Sequence, residues 1–230
     1  MKRKKHSHSF CLMREKWTKL QMKKNNNNIE RAALLEGPKA VEIEKYIKSK
    51  LTPERYAHVL SVRELALDLA ERYGADLQKV NLAALLHDCA KWMRTSEQYE
   101  AAASHEIQLD EVERHNPSLL HALIGVEFAV SNFDVDNPEI LNAIRIHTTG
   151  SGKMTLIDKI LYVADFAEPK RNHAEAHSVR ELASQDLNKA VFEVSRYKIE
   201  HLLAKGVLIH PHTIDAYNSA LWEISGPTRK

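Results

Sequence analysis

Cysteine is nearly absent from this chain: Cys11 and Cys89 are the only two, far apart and in no CxxC pair. That excludes a disulfide framework and points to a reducing compartment. No run of about 18 apolar residues occurs, so no membrane span is expected. The basic N-terminus lacks the continuous apolar stretch of a secretory signal, and the expected setting is the cytoplasm. Alternation with a period of two is missing too, and the prolines fall at the starts or ends of periodic segments, which leaves an all-α fold. There is no internal repeat.

An overall excess of one charge is also lacking, with 33 Lys and Arg against 31 Asp and Glu. The balance is uneven along the chain. Residues 1–24 hold nine of the basic residues and one acidic residue, so the remainder carries 24 against 30 and is mildly acidic. A protein that coats nucleic acid through a generally basic surface is therefore not indicated. Residues 1–36 read as a basic, low-complexity extension containing the homopolymer Asn25–Asn28. Such a segment buries too little apolar surface to offset its ordering entropy and is expected to be disordered. Trp17, Leu20 and Met22 offer a short amphipathic patch, so contact of the tail with nucleic acid or an anionic surface stays open.

The rest, residues 37–230, is long enough for one domain with a sizeable core. Helix signals begin at Gly37-Pro38, with Val41, Ile43 and Ile47 on one face. Thr52-Pro53-Glu54 supplies an N-cap, a proline in the first turn and an early acid, and the helix it starts runs to Gly74. His58 shares its apolar stripe with Val62, Leu65 and Leu69. Asp76 caps a helix carrying Leu82, Leu85 and Leu86 into His87-Asp88, and a polar stretch follows around 96–104. Asn116-Pro117 opens a helix with His121, Ile124 and Phe128. Asn137-Pro138 opens another whose Ile140, Ala143, Ile144 and His147 share a face, ending at Thr148-Thr149-Gly150. Thr155 caps a helix with Ile157, Leu161 and Asp165 on its inner stripe, ended by Pro169. Further helices are expected over 175–205, closing at Gly206, and over 213–224.

Any one of these histidines alone is more often a hydrogen-bonded core residue than a ligand. The joint pattern weighs differently. Asp88 and Asp165 both follow apolar residues onto inward faces, and a buried carboxylate is costly unless paired or coordinated. Arg or Lys partners would serve, so a buried salt bridge stays open. Four histidines arriving on four separate helices favour a borderline metal instead. His87 and Asp88, adjacent in sequence, are roughly 100° apart around a helix axis and can straddle a site between them. Three or four such ligands leave positions for water and a substrate oxygen, as catalytic sites require.

His58…His87-Asp88…Asp165 resembles the H…HD…D pattern of the HD-domain metallophosphohydrolases. The stretches RYAHVLSV (55–62), LLHDCAK (85–91), HALIGV (121–126), IRIHTTG (144–150) and KILYVADFAEPKR (159–171) narrow the resemblance to the YqeK-type symmetrical bis(5′-nucleosyl)-tetraphosphatases of bacteria, over about residues 40–225. The resemblance implies an HD-domain-like helical bundle that hydrolyses diadenosine tetraphosphate to two ADP, with iron as cofactor. By motif, His58, His87, Asp88 and Asp165 would hold the metal. His121 and His147 would contact the substrate phosphates or hold a second ion. Arg55, Glu168 and Arg171 would line the nucleotide site.

The residue chemistry agrees with that implication. Imidazole and carboxylate together favour iron, manganese, cobalt or zinc over magnesium. A bound water that becomes hydroxide near neutral pH would attack phosphorus in line, with His87 and Asp88 at the reacting centre and with Lys91, Arg171 and protonated His121 or His147 as the candidates for stabilising the leaving diphosphate. Thr148, Thr149 and Gly150, just past a helix end, could offer hydroxyls and amides to phosphate oxygens, although a helix terminator accounts for Thr-Thr-Gly equally well. A homodimer is compatible with the sequence. His173 and His177 are expected to form a solvated pair, His210-Pro211-His212 a helix entry, and Cys89 part of the core. The competing readings are another HD phosphohydrolase (a nucleotidase, a guanosine-polyphosphate hydrolase or a cyclic-dinucleotide phosphodiesterase) and, from a different class, a non-catalytic metal-bound helical adaptor docking through its basic tail.

Overall fold

The computed structural model describes residues 31, 33 and 37–226. The expectations for residues 1–30 lie outside these. Arg31, counted with the tail from sequence, pairs with Asp68 at 2.6 Å and with Glu71 at 3.6 Å, so contact with the helical unit begins before Gly37. Among the described residues there are eleven α-helices, one short 3-10 turn and no strand.

The first helices form where local chemistry dictates. Helix α1 (Pro38–Lys50) starts at a proline and buries Ala40, Ile43 and Ile47. Thr52 accepts the amide of Arg55 to cap α2 (Pro53–Tyr73), which ends at Gly74 in the left-handed region, as a glycine permits. Asp76 caps α3 (Leu77–Leu86) through the amides of Gln78 and Lys79.

Two elements were not foreseen. The polar stretch is a helix, α4 (Thr95–Ser104), stabilised by Glu97 reaching back to the Arg94 amide. A five-residue helix, α5 (Glu111–His115), follows, with Asp110 and Glu113 capping each other reciprocally. Helix α4 leans on a small satellite core of Ala90, Leu120, Leu123 and Ile124 through Tyr99 and Ala101, and α5 packs on the 3-10 turn that follows it.

The 3-10 turn Pro117–Leu119 leads into α6 (Leu120–Phe133), then α7 (Pro138–Ile146) and α8 (Leu156–Ala167). The expected 175–205 segment is two helices, α9 (Ala174–Ala183) and α10 (Leu187–Lys205). Asp186 caps the second through the Lys189 amide and so divides the segment. Helix α11 (Pro211–Ser225) closes the set.

At the centre lies α8, packed against α2, α3, α7, α9 and α10. Its Ile160, Leu161, Tyr162, Val163 and Ala164 are buried together with Leu85 and Leu86 of α3. Each such aliphatic side chain contributes roughly 1.5–3 kcal/mol on burial. That apolar stabilisation offsets the cost of bringing a carboxylate and several imidazoles inside. At Gly125 helix α6 lies against α7 and the end of α3, where a β-carbon would stand 3.4 Å from Ile144 Cγ2 and 3.6 Å from Cys89 Sγ, ordinary packing distances.

Candidate metal centre

The helical hydrogen bonding of α3 tightens at its end. His87 still donates to Ala83, but Cys89 donates to Leu86 and Lys91 to Asp88. This tighter winding directs His87 and Asp88 toward one point. His121 stands in the first turn of α6, His147 just past α7, His58 on the buried face of the second turn of α2, and Asp165 in the last turn of α8. Asp88 is the hub. Its Oδ1 lies 3.1 Å from His121 Nε2 and 3.9 Å from His147 Nε2. Its Oδ2 lies 3.6 Å from His87 Nε2 and 3.9 Å from His58 Nε2. Asp165 Oδ1 is 3.1 Å from His58 Nε2, on the same side of that ring as Asp88.

The four imidazoles are oriented in one way. His87, His121 and His147 each donate Nδ1–H to the carbonyl three residues back, of Ala84, Ser118 and Ile144, at 2.7 Å. His58 donates Nδ1–H to Glu168 Oε1 at 3.2 Å. In this tautomer every Nε2 turns a lone pair toward the centre, as metal-ligating histidines do. The Nε2 atom of His87 is buried with no hydrogen-bond partner. Those of His121 and His147 stand 3.1 Å apart, each with its ring proton already spent elsewhere. Facing lone pairs and an orphaned buried nitrogen are costly unless a cation lies among them. Two groups of donors, His58–His87–Asp88 and Asp88–His121–His147, have ligand atoms within 4.8 Å of one another. The donor set fits a divalent metal.

Electrostatics bear on the alternative of a plain salt bridge. Burial raises the Asp88 carboxyl, but His87, His121 and His147 outweigh it and hold it well below its usual range. For Asp165 burial is likewise overcome, by His58 foremost. Burial lowers His87, and burial with the neighbouring His87 and His121 takes His147 well below an ordinary imidazole. His58 moves the other way: burial lowers it, yet Asp165, Asp88 and Glu168 together raise it. Arginines do reach the carboxylates, Arg55 to Asp88 Oδ2 at 2.9 Å and Arg171 to Asp165 Oδ1 at 3.4 Å. They account for one oxygen each and leave the imidazole cluster unexplained.

The HD domain family model matches residues 55–169. The symmetrical bis(5′-nucleosyl)-tetraphosphatase of Bacillus subtilis (strain 168) is 38% identical over 180 residues, which covers 78% of this chain and 95% of that protein. The chain belongs to this HD-domain family. Enzymes of the same description from Halalkalibacterium halodurans and Staphylococcus aureus are 37% and 32% identical, over 77% and 74% of this chain. A crystal structure described as a predicted HD superfamily hydrolase involved in NAD metabolism, from Clostridium acetobutylicum, superposes with a TM-score of 0.76. It is 35% identical and covers 79% of this chain and 96% of its own.

Within the family frame the remaining expected residues fall as follows. Arg55 and Arg171 stand at the rim of the centre with their carboxylate partners. Glu168 is buried behind His58, held also by the Lys170 amide at 2.6 Å. Its carboxylate faces the His58 imidazole. Lys91 Nζ lies 3.0 Å from His121 Nδ1, and burial lowers its pKa. Thr148 lines a cavity beside the centre. Thr149, in contrast, spends its hydroxyl on the Gly150 carbonyl, and the Gly150 amide is taken by Ile146.

Lys198 was missed from sequence. It extends from α10, donates to the carbonyls of His147 and Thr148 at 3.3 and 2.9 Å, and lies 3.9 Å from the Tyr162 ring centroid. Burial lowers it to about 8. No motif marks a lysine so far along the chain.

A third acidic-histidine group, Asp110–Glu113–His210, is structural. His210 Nδ1 accepts the His212 amide, so the ring proton sits on Nε2 and is donated to Asp110 at 2.7 Å. His173 and His177 are exposed, the former capping α9 through the Ala176 amide. Cys89 is buried and its thiol is pushed up to about 12 by burial.

Proposed function

We propose that this chain is a divalent-metal-dependent hydrolase that cuts diadenosine tetraphosphate symmetrically into two ADP. The observation that carries the reading is the set of buried, similarly oriented imidazoles around Asp88, in a chain related over most of its length to enzymes of that description. His58, His87, Asp88 and Asp165 are the proposed metal ligands, and His121 and His147 meet phosphate oxygens or a second ion. Iron is the favoured metal, with manganese, cobalt and zinc as alternatives, because the donors combine imidazole with carboxylate. When bound, the ion supplies positive charge for the phosphoryl oxygens and a water acidic enough to ionise near neutral pH.

The protein's own part is positioning and neutralisation, which is most of what phosphoryl transfer requires. The Nδ1 bonds to Ala84, Ser118, Ile144 and Glu168 fix the four rings before substrate arrives. Arg55 and Arg171 are set to trade their carboxylates for phosphate oxygens once those carboxylates are neutralised. A water oxygen adds to one of the two inner phosphorus atoms as the bond from that phosphorus to the central bridging oxygen breaks. The departing ADP keeps the bridging oxygen, its growing charge facing Lys91.

The helical unit from residue 37 onward is proposed to hold the activity, in a reducing cytoplasm where Cys89 stays a free thiol. No helix among the described residues is long and apolar enough to cross a membrane. Purified protein given diadenosine tetraphosphate should yield ADP alone by anion-exchange chromatography. Formation of ATP with AMP would overturn the symmetrical cut. Removal of residues 1–28 should leave turnover in place, whereas an adaptor acting through its tail would lose its partner.

A further inference from the structure

Residues 103–119, from the last turn of α4 to the 3-10 turn, include no buried side chain. Ile107 and Leu109 rest half-buried on the satellite core, and α5 packs on the 3-10 turn. Glu106 stands near one end with a φ of +54°, a region that residues with a β-carbon rarely occupy. Asn116-Pro117 stands near the other, and a residue before proline is pushed out of the helical region. Two bends thus bound residues 107–115. A stretch with so few buried contacts belongs to the low end of local stability.

The same stretch walls the cavities beside the metal centre. Asn116, Ser118 and Leu119 line one of about 230 Å³ together with Thr148, Lys198 and His210. Asp110 and Glu113 line a smaller one of about 130 Å³, again with Thr148 and His210. Among the described residues, the polar contacts that cross from the stretch to α10 and α11 belong to one side chain, His210, the N-cap residue of α11. Its Nε2–H is donated to Asp110 Oδ2 at 2.7 Å, with Glu113 Oε1 at 3.9 Å. Near the far end the Ser118 carbonyl accepts the Nδ1 proton of His121. The stretch is therefore anchored to the centre itself at one end and joined to α11 by a single latch.

We propose that residues 107–115 form a lid that swings about Glu106 and Asn116 and is held shut by the hydrogen bond between His210 and Asp110. The proposal rests on the hydrolase reading above and adds the moving part by which substrate enters and ADP leaves. Opening breaks the latch and leaves Ser118 in place behind His121, so the metal centre keeps its shape while the cavity wall moves.

Hydrogen–deuterium exchange of the metal-loaded protein, read by mass spectrometry, tests this. Amides 107–115 should exchange faster than those of α2 and α8, and saturating ADP should slow them. Asp110→Asn offers one accepting oxygen to two donors, the Glu113 amide and His210 Nε2–H. His210→Asn keeps an oxygen for the His212 amide but falls short of Asp110. Each variant should speed exchange over 107–115 about tenfold or more, as loss of a hydrogen bond to a charged group implies. Unchanged exchange in α2 and α8 checks that the fold is intact. Each should also raise KM for diadenosine tetraphosphate more than it lowers kcat, because an unlatched lid holds substrate less well yet frees product sooner. Asp110 does not line the larger cavity, so its effect on KM reports the latch. Unchanged exchange in both variants, or no slowing by ADP in the wild type, overturns the lid. Should ADP and the variants shift exchange as expected while diadenosine tetraphosphate yields no ADP, the lid stands and the hydrolase reading falls. Turnover to ADP with exchange that neither ADP nor the variants move has the opposite meaning.

Discussion

Glu168 stands directly behind His58, its Oε1 3.2 Å from the ring's Nδ1, while Asp165 stands 3.1 Å from Nε2 on the other side. A carboxylate behind a ligating imidazole fixes the tautomer and makes Nε2 a better donor. Glu168→Gln keeps the shape and an accepting oxygen but loses the charge. It should lower metal affinity about 10–100-fold while circular dichroism stays helical. Competition with a chelating dye measures this. A raised KM with metal affinity intact would return Glu168 to the nucleotide site.

His87 is fully buried, and its Nε2 has no partner other than what the centre provides. His87→Ala should therefore abolish stoichiometric metal and cut kcat/KM at least about 10³-fold, since the charge stabilisation an ion gives is worth several kcal/mol. Metal analysis and steady-state kinetics on the same preparation check both. A variant that kept full activity would remove the metal from the reaction.

Sequence made the helices legible because their ends are marked by local chemistry. Thr52-Pro53, Asn137-Pro138 and Thr155 each cap where expected. The helices missed were those whose signals are short-range and polar: α4 and α5 hold mainly by capping boxes and carry few buried residues. The cluster was legible because each histidine sits on an apolar stripe beside recognisable neighbours. Glu168 behind His58 and Lys198 beneath His147 are separated from their partners by 110 and about 50 residues. No spacing rule spans such distances; only the packing of α2, α8 and α10 brings them in.

The histidines also set a pH dependence in the chelator-treated protein. His58 is raised by Asp165, Asp88 and Glu168 against its burial, so its contribution is full below the unfolded value of 6.5 and is lost as pH rises through its higher folded value. His87 and His147 are lowered, chiefly by burial, so below 6.5 the unfolded chain takes up protons that the folded one refuses. The two signs meet near pH 6.5, where the metal-free protein should have its highest Tm. A bound ion must displace the His58 proton, so the metal-loaded protein should shift its maximum to higher pH. Thermal melts from pH 5 to 9, with and without chelator, compare the two. Superimposable profiles would count against His58 as a ligand.

Gly150 tests how the end of the His147-Thr148 segment is held. Its φ is +71°, and a β-carbon there would stand 2.8 Å from Ala216 Cβ and 3.3 Å from the Tyr162 ring. Gly74 has the same backbone sign, φ +73°, with nothing within 4 Å. Gly74→Ala should then cost only the left-handed backbone term, about 1–2 kcal/mol. Gly150→Ala should add roughly 1–3 kcal/mol of overpacking against α8 and α11. For a chain of this length each kcal/mol lowers Tm by about 2–4 °C, so denaturation curves resolve the difference. The functional consequence separates them further. The strain at Gly150 can be relieved by moving the turn that carries the His147 and Thr148 carbonyls, which Lys198 holds at 3.3 and 2.9 Å. Gly150→Ala should consequently lose catalytic efficiency beyond its loss of folded protein, and Gly74→Ala should not. Equal specific activities for the two, corrected for folded fraction, would mean that α11 yields and the turn stays in place.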